Sequence, residues 1–280
     1  MTSQTVPYSL ALVILGAALL SFIPGIIRLQ ILGSQAITAL LGKVENHFRK
    51  NSSSPHVGGT FILLFLITGL FVPVSLLVNV AGTYHPILGL SFEIFLVFFT
   101  LSCPPTRRAF IGLFKALLQE EGEKDACQKT FFIGGDRVIS GYFTPLLFAI
   151  IGGAPMAMVA EIVRCAYLKF SIQGDPFGKP AADFYRILNY IPAMGALIFI
   201  GFSSYLFGKN GWHAIKKGLK EGRRTEQLGH YIQGAINSAF QNQESFPAQK
   251  WVSKGSSLLF VSAFFWLIVL ATLRIWIMPL

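Results

Sequence analysis

The chain has 280 residues, of which 53% are hydrophobic and only 13% are charged. Because soluble domains carry about 25% charged residues, this composition leaves too few polar side chains to cover a water-exposed surface, and it excludes an ordinary soluble protein. The net charge of +10 would suggest a nucleic-acid partner in a soluble protein. No basic stripe interleaved with aromatic residues stands clear of the apolar tracts, so we expect no such partner.

Six apolar tracts follow one another along the chain, each close to the ~20 residues that a helix needs to cross a bilayer. They occupy residues 8–27, 58–80, 87–103, 138–165, 187–207 and 258–277. The fourth tract continues to about residue 170, which exceeds a single span, and Gly152-Gly153-Ala154-Pro155 interrupts it. The pattern predicts an all-α fold, a single polytopic membrane helix bundle over residues 1–280 with about six spans. Span four is either long and kinked or a re-entrant pair of half-helices.

Three polar segments between these tracts carry most of the positive charge. Segments 28–57, 104–137 and 208–256 hold four, six and eight Lys or Arg residues, whereas the loop 81–86 holds none. Because positively charged loops stay in the cytoplasm, six spans with both termini outside place all three segments in the cytoplasm and segment 166–186 outside, and we favour this topology. If the Gly152–Pro155 break is a true re-entrant turn, segment 166–186 returns to the cytoplasm and span five puts segment 208–256 outside. The first segment is weakly amphipathic, which predicts a helix that either lies on the membrane surface or links spans through solvent.

Ionisable residues inside apolar tracts are costly unless they are paired or hydrated, so they are the first candidates for function. Glu93 lies near the middle of span three, where its carboxyl group is expected to face the bundle interior or to be protonated. Glu161 and Arg164 lie at the end of span four, three residues apart on one helical face. They form either a local ion pair at the membrane interface or part of a site, and the sequence leaves both alternatives open.

No general catalytic or metal-binding motif accompanies these residues. The sequence has no GxxxxGKS/T loop, no GxSxG elbow and no HExxH pair. Its three cysteines form no CxxC pair, and its five histidines do not cluster with them. We therefore predict no metal site and assign no catalytic residue.

Stretches in the middle of the chain carry recognisable motifs. The tract Ser140–Ala157 is SGYFTPLLFAIIGGAPMA, residues 177–178 are FG, and residues 187–193 are ILNYIPA. They resemble the DG-x-x-x-P-L-F/W run, the GG-x-P/A turn and the FG…LLNWIPAR stretch of the CobD/CbiB family. Glu93 lies in a segment that is similar to the LEALLLY run of that family. The resemblance covers roughly residues 25–245 and is most specific in its central tract.

The resemblance implies a relationship to adenosylcobinamide-phosphate synthase, a membrane enzyme of cobalamin biosynthesis. That enzyme uses ATP to join an aminopropanol phosphate to a corrinoid carboxyl group. A distant branch of the family, the AmpE proteins, is linked to β-lactamase regulation. ATP and Mg²⁺ are implied as cofactors only if the synthase activity is retained, and the cofactors are otherwise unknown.

Several acids of the synthase motifs are absent. In the alignment that the resemblance implies, Ser140 replaces the second acid of the ExxxDG motif. Arg164 and Tyr167 replace the Asn and the Asp of the NTxDSMxGY motif. Tyr185 and Arg186 replace the two adjacent Asp residues of the ARLDD motif. Carboxylates hold Mg²⁺ against phosphate oxygens, so these replacements remove ligands that the chemistry needs. The retained positions are Glu93, Asp136 and Asn189, with the scaffold-like Gly152, Gly153, Pro155 and Pro192.

Three hypotheses follow for the function. The lost acids favour a non-catalytic scaffold, sensor or accessory subunit of a larger membrane complex. Glu93, Asp136 and Asn189 instead favour a divergent synthase with a remodelled site. Glu93 beside a broken span would also suit a transporter, although the sequence shows no inverted repeat. In each case we expect a multi-pass protein of the bacterial inner (cytoplasmic) membrane, with the lipid bilayer and other membrane proteins as partners and no nucleic acid.

Overall fold

The computed structural model describes residues 7–23, 27–52, 54–102, 105–171, 175–225, 227–240 and 247–277. Every regular element in these ranges is helical, which confirms the predicted all-α fold class. The helices are α1 Pro7–Ser21, α2 Ile27–Asn51, α3 Pro55–Tyr84, α4 Pro86–Thr100, α5 Arg107–Leu118, α6 Glu123–Val138, α7 Thr144–Phe170, α8 Lys179–Leu206, α9 Gly211–Thr225, α10 Leu228–Phe240 and α11 Ala248–Ile277. A π-helical turn, Ile139–Phe143, joins α6 to α7 without interruption.

The described helices include enough long apolar segments for a multi-pass membrane protein. Four stretches are long and apolar enough to cross a bilayer, and two shorter apolar helices coincide with the predicted spans one and three. The four are Pro55–Tyr84, Glu123–Phe170, Lys179–Leu206 and Ala248–Leu273, and the shorter two are Ala11–Ser21 and Pro86–Thr100. Only 22% of the apolar window of α3 is buried inside the protein. An apolar surface of this extent is stable in lipid and not in water.

The helices form two compact units, and each unit combines distant parts of the sequence. The first comprises Met1–Ser102, Thr144–Leu188 and Val269–Leu280, and the second comprises Cys103–Phe143 and Asn189–Ile268. The chain passes from one unit to the other after Ser102, at the start of α7, inside α8 and inside α11. A single membrane domain over residues 1–280 stays a prediction for the two units together.

In the first unit, α3 and α4 form a hairpin in which only His85 separates the two helices. Ser54 caps the start of α3 by accepting a hydrogen bond from the Val57 amide at 3.3 Å, and Pro86 opens α4, where a missing N–H costs nothing. A Cβ on Gly89 would lie 2.7 Å from Gly82 Cα, so glycine allows the two helices to approach closely. One face of α2 packs along α3, α4 and α7.

The predicted interruption of span four is a break in α7. Gly152 has φ −149° and ψ 26°, and Gly153 has φ 69° and ψ −160°. The second pair of angles lies in a region that only glycine populates. Pro155 lies two residues after Gly153, in the first turn of the second half of the helix, where its ring is tolerated. The Gly-Gly-Ala-Pro sequence therefore encodes a change of direction in the helix.

The end of α7 lies beside the end of α2, which corrects the predicted sidedness of one segment. Arg49 Nη2 lies 2.7 Å from Asp175 Oδ2, and Lys169 Nζ lies 3.8 Å from Glu45 Oε2. Ion pairs of this length cannot bridge a hydrocarbon core of about 30 Å. Segment 166–186 therefore lies on the same side of the membrane as segment 28–57. The favoured six-span topology placed the two segments on opposite sides, whereas the re-entrant alternative for span four placed them on the same side.

This arrangement predicts the outcome of cysteine labelling. In a background whose three native cysteines are replaced by alanine, Lys50→Cys and Lys179→Cys are expected to react with a membrane-impermeant maleimide from the same side. Tyr84→Cys is the control, because Tyr84 is 83% exposed at the other end of a 30-residue helix, which is about 45 Å long. It should react only from the opposite side. Labelling of the first two positions from opposite sides would contradict the contact between α2 and α7.

In the second unit, the π-helical turn and α8 pack against the buried Trp266 of α11. Its indole Nε1 donates a hydrogen bond to the carbonyl oxygen of Phe143 at 3.2 Å, at the end of the π-helical turn. Gly195 of α8 faces the ring and leaves no room for a Cβ. Ser262 donates to Ser203 at 3.1 Å and links α11 to α8 in a buried position. Such interhelical hydrogen bonds contribute stability where water is absent.

Candidate functional site

Glu161 and Arg164 form a fully internal ion pair in the second half of α7. Arg164 Nε donates to Glu161 Oε2 at 2.7 Å and Arg164 Nη2 donates to Oε1 at 2.6 Å, which is a bidentate arrangement. Glu161 is 1% exposed and Arg164 is 9% exposed. The pair is therefore buried against other helices and is not a solvent-facing pair on the surface. A buried pair is stable only if its remaining hydrogen-bonding groups are satisfied.

Ser34 of α2 forms further hydrogen bonds with both members of this ion pair. Its hydroxyl donates to Glu161 Oε1 at 2.7 Å and accepts from Arg164 Nη2 at 3.1 Å. The Cys165 thiol lies 3.8 Å from the carbonyl oxygen of Ser34. Sequence reasoning missed Ser34, because no motif or spacing relates it to a pair 127 residues away. The polar cluster of Ser34, Glu161, Arg164 and Cys165 holds α2 against α7 through groups that have little contact with solvent.

Glu93 of α4 binds the break in α7. Its Oε1 accepts a hydrogen bond from the backbone N–H of Ala154 at 3.2 Å. Ala154 is the first residue after the two non-helical glycines, so this N–H belongs to the start of a helical segment. A carboxylate at a helix N-terminus satisfies an otherwise unpaired donor and interacts favourably with the helix dipole. The half-buried Glu93 thus faces its neighbouring helix.

Two tyrosines stack at positions where the family resemblance implies acids. The rings of Tyr167 and Tyr185 have centroids 3.9 Å apart and planes 10° apart. Tyr185 is 2% exposed. Tyr167 lies on α7 three residues after Arg164, and Tyr185 lies near the start of α8. The structure therefore brings two of the replaced positions into direct contact and occupies the space between them with aromatic rings.

The Phe177-Gly178 motif is a packed turn beside an exposed ion pair. The Arg49 guanidinium lies 4.1 Å from the centroid of the Phe177 ring, and the Phe177 amide donates to Asp175 at 2.9 Å. The hydrogen bond from Arg49 holds the pKa of Asp175 below its usual value and raises the pKa of Arg49. A Cβ on Gly178 would collide with the carbonyl of Phe170. The motif thus has a structural use in this chain.

The remaining predicted site residues lie in the second unit. Asp136 accepts a hydrogen bond from the Ser140 hydroxyl at its backbone carbonyl, at 2.9 Å. Asn189 is 3% exposed, and Pro192 lies inside α8. Across the described ranges, no group of three or more His, Cys, Asp or Glu side chains is close enough to hold a metal ion.

Comparison with known proteins identifies relatives over part of the chain. This chain is 26% identical over 185 residues to the cobalamin biosynthesis protein CobD of Clostridium perfringens, and the match covers 58% of each chain. It is 23% identical over 163 residues to the cobalamin biosynthesis protein CbiB of Salmonella arizonae, covering 50% of this chain and 51% of that protein. A 72-residue stretch is 39% identical to a probable cobalamin biosynthesis protein CobD of Thermoplasma acidophilum, covering 24% of this chain and 23% of that protein.

The matched region spans only about half the length of these relatives. No family model matches the chain, and no solved structure gives a significant match. These relatives are all cobalamin biosynthesis proteins named CobD or CbiB. Over about half of its length the chain is similar to CobD and CbiB proteins, and its apolar helices are those of a multi-pass membrane protein.

Proposed function

We propose that this protein has lost the synthase chemistry and works as a membrane scaffold, sensor or accessory subunit of a larger membrane complex. The observation that carries the proposal is the stack of Tyr167 on Tyr185. In the alignment that the resemblance implies, both positions are aspartates, which would face each other across a few ångströms. Here the same space is filled by two aromatic rings whose centroids are 3.9 Å apart.

The replacement removes the chemical groups that an ATP-dependent ligase needs. Mg²⁺ takes hard oxygen ligands, usually one or two carboxylates together with the substrate phosphates. A phenol ring stack offers no such ligand and leaves no volume for a hydrated ion. Arg164, which stands at a family asparagine, is held by Glu161 at 2.6 and 2.7 Å. The Arg164 guanidinium and the Glu161 carboxylate therefore bind each other inside the protein.

Glu93 does not by itself favour the divergent synthase or the transporter. Its hydrogen bond to Ala154 at 3.2 Å gives the carboxyl group a structural use at the break in α7. A retained acid with a structural use is expected in a protein that keeps the family's architecture without its reaction.

We further propose that the protein lies in the bacterial cytoplasmic membrane with its N-terminus outside. In this orientation segments 28–57 and 166–186 both face the cytoplasm.

Complementation tests the proposal directly. In a bacterial strain that lacks its synthase, expression of this chain is expected not to restore corrinoid-dependent growth, whereas the CobD protein of Clostridium perfringens is the positive control. An epitope tag verifies that both proteins reach the membrane at similar levels. Restored growth, or corrinoid-dependent ATP hydrolysis by the purified protein in lipid nanodiscs, would show that the chain is a synthase after all.

A further inference from the structure

Helix α9 has two faces of opposite character. Its inner face consists of small residues, Gly211, Ala214, Gly218 and Gly222, all of which are buried. A Cβ on Gly218 would collide with Leu197 of α8 and with the backbone of Tyr231 of α10, so glycine lets the three helices pack closely. This close packing leaves the opposite face of α9 as the part of the helix that can meet a partner.

The contacts of the inner face show how α9 is placed beside α8. Gly211 lies against Gly201 and Tyr205, whereas Gly218 lies against Leu197. The two helices therefore run antiparallel, and α9 folds back along the last turns of α8. Helix α8 is one of the four stretches apolar enough to cross a membrane. Its final turns expose Ile198 by 56%, Phe202 by 52% and Tyr205 by 58%, as expected for a surface in contact with lipid.

The outer face of α9 is cationic and begins with a tryptophan. Trp212 is 67% exposed, and Lys216, Lys220 and Arg223 follow it at intervals of four, four and three residues, which places all four on one side of the helix. Arg224 is exposed beside them. Among the described residues, no acidic side chain lies within 4 Å of these four cations.

We propose that the outer face of α9 binds the phosphate groups of anionic phospholipids. Cationic side chains cannot face hydrocarbon, but their long apolar stems lie along it and carry the charge to the headgroup layer. Tryptophan is enriched at the same depth. Arginine matches phosphate oxygens with paired N–H donors. A soluble anion would need only a cationic surface, without an apolar surface beside it. The adjoining lipid-exposed turns of α8 favour a partner that is both apolar and anionic.

The test compares two variants of the full-length protein that lose the same charge. The first is Lys216→Gln/Lys220→Gln/Arg223→Gln/Arg224→Gln. The second neutralises four exposed cations of α5 and α6, as Arg107→Gln/Arg108→Gln/Lys115→Gln/Lys124→Gln. Native mass spectrometry of detergent-purified protein titrated with phosphatidylglycerol gives the apparent Kd for this lipid. Phosphatidylcholine is the uncharged comparison.

We expect the α9 variant to bind phosphatidylglycerol at least about tenfold more weakly than the wild type, with phosphatidylcholine binding unchanged, since several cations each contribute to headgroup attraction. The matched variant should lose no more than about threefold. Circular dichroism and thermal unfolding establish that both variants fold. An α9 variant with wild-type affinity would overturn the proposal. So would inorganic phosphate that displaces the lipid at equal concentration, because the face would then bind a soluble anion.

Discussion

Replacing Arg164 with methionine is expected to lower the free energy of unfolding by about 3–5 kcal/mol, because it leaves a buried carboxylate without its partner. Glu161 is 1% exposed and takes two hydrogen bonds from Arg164. The single hydrogen bond from Ser34 cannot compensate the negative charge of the Glu161 carboxylate. Denaturant unfolding in detergent, followed by tryptophan fluorescence, gives the measurement. A variant within about 1 kcal/mol of the wild type would show that the pair is hydrated or neutral in the membrane.

The double variant Glu161→Leu/Arg164→Met separates the energetic role of the pair from a functional one. Replacing both charges by apolar side chains of similar volume is often neutral or stabilising, so we expect the double variant to recover most of the stability that Arg164→Met loses. Ser34→Ala, which removes one hydroxyl from the same cluster, should cost about 1 kcal/mol. A stable double variant that loses its cellular function would assign the cluster to a site.

The break in α7 leads to the second large expected effect, which concerns Gly153. A Gly153→Ala variant is expected to be less stable by about 1–3 kcal/mol, since a side chain is strained in this region of backbone angles. The angles are φ 69° and ψ −160°. Unfolding in detergent measures the loss, and hydrogen exchange of the Ala154 amide reports whether Glu93 still caps the second half of the helix.

Gly152 is the matched control for this prediction. Its φ of −149° is accessible to any residue, and a Cβ there would collide with Cγ of Met156, a clash that a change of that side chain's rotamer relieves. Gly152→Ala is therefore expected to cost clearly less than Gly153→Ala. Equal effects at the two positions would mean that close packing, and not backbone conformation, requires glycine at the break.

Composition and local pattern were sufficient for the fold class, a polytopic helical membrane protein. Each span is a local property, because about 20 apolar residues must satisfy their own backbone hydrogen bonds in lipid. The break in α7 was also visible, since Gly-Gly followed by Pro disfavours a continuous helix wherever it occurs. Glu161 and Arg164 could be paired from their spacing of three residues alone. Their burial could not be predicted, because it depends on α2.

The candidate site depends on contacts between residues far apart in the sequence. Ser34 reaches the ion pair from another helix, Glu93 reaches Ala154 across 61 residues, and Tyr167 meets Tyr185 across the turn between α7 and α8. No periodicity encodes such pairs, since each results from how helices pack side by side. The sidedness of segment 166–186 has the same origin, because the pairing of Arg49 with Asp175 decides it.

The sequence by itself determined that this chain is a helical membrane protein, that its central motifs resemble those of the CobD/CbiB family and that its fourth apolar tract is broken at Gly-Gly. Composition, residue spacing and short motifs are local properties of the sequence, so they were sufficient to predict these features. Only the tertiary structure decided what the remaining polar groups do. It engages Glu93 and Glu161 in internal hydrogen bonds, stacks Tyr167 on Tyr185 and leaves the cations of α9 facing outward. The physical reason is that the cost of a buried charge depends on its neighbours, and packing alone supplies the neighbours.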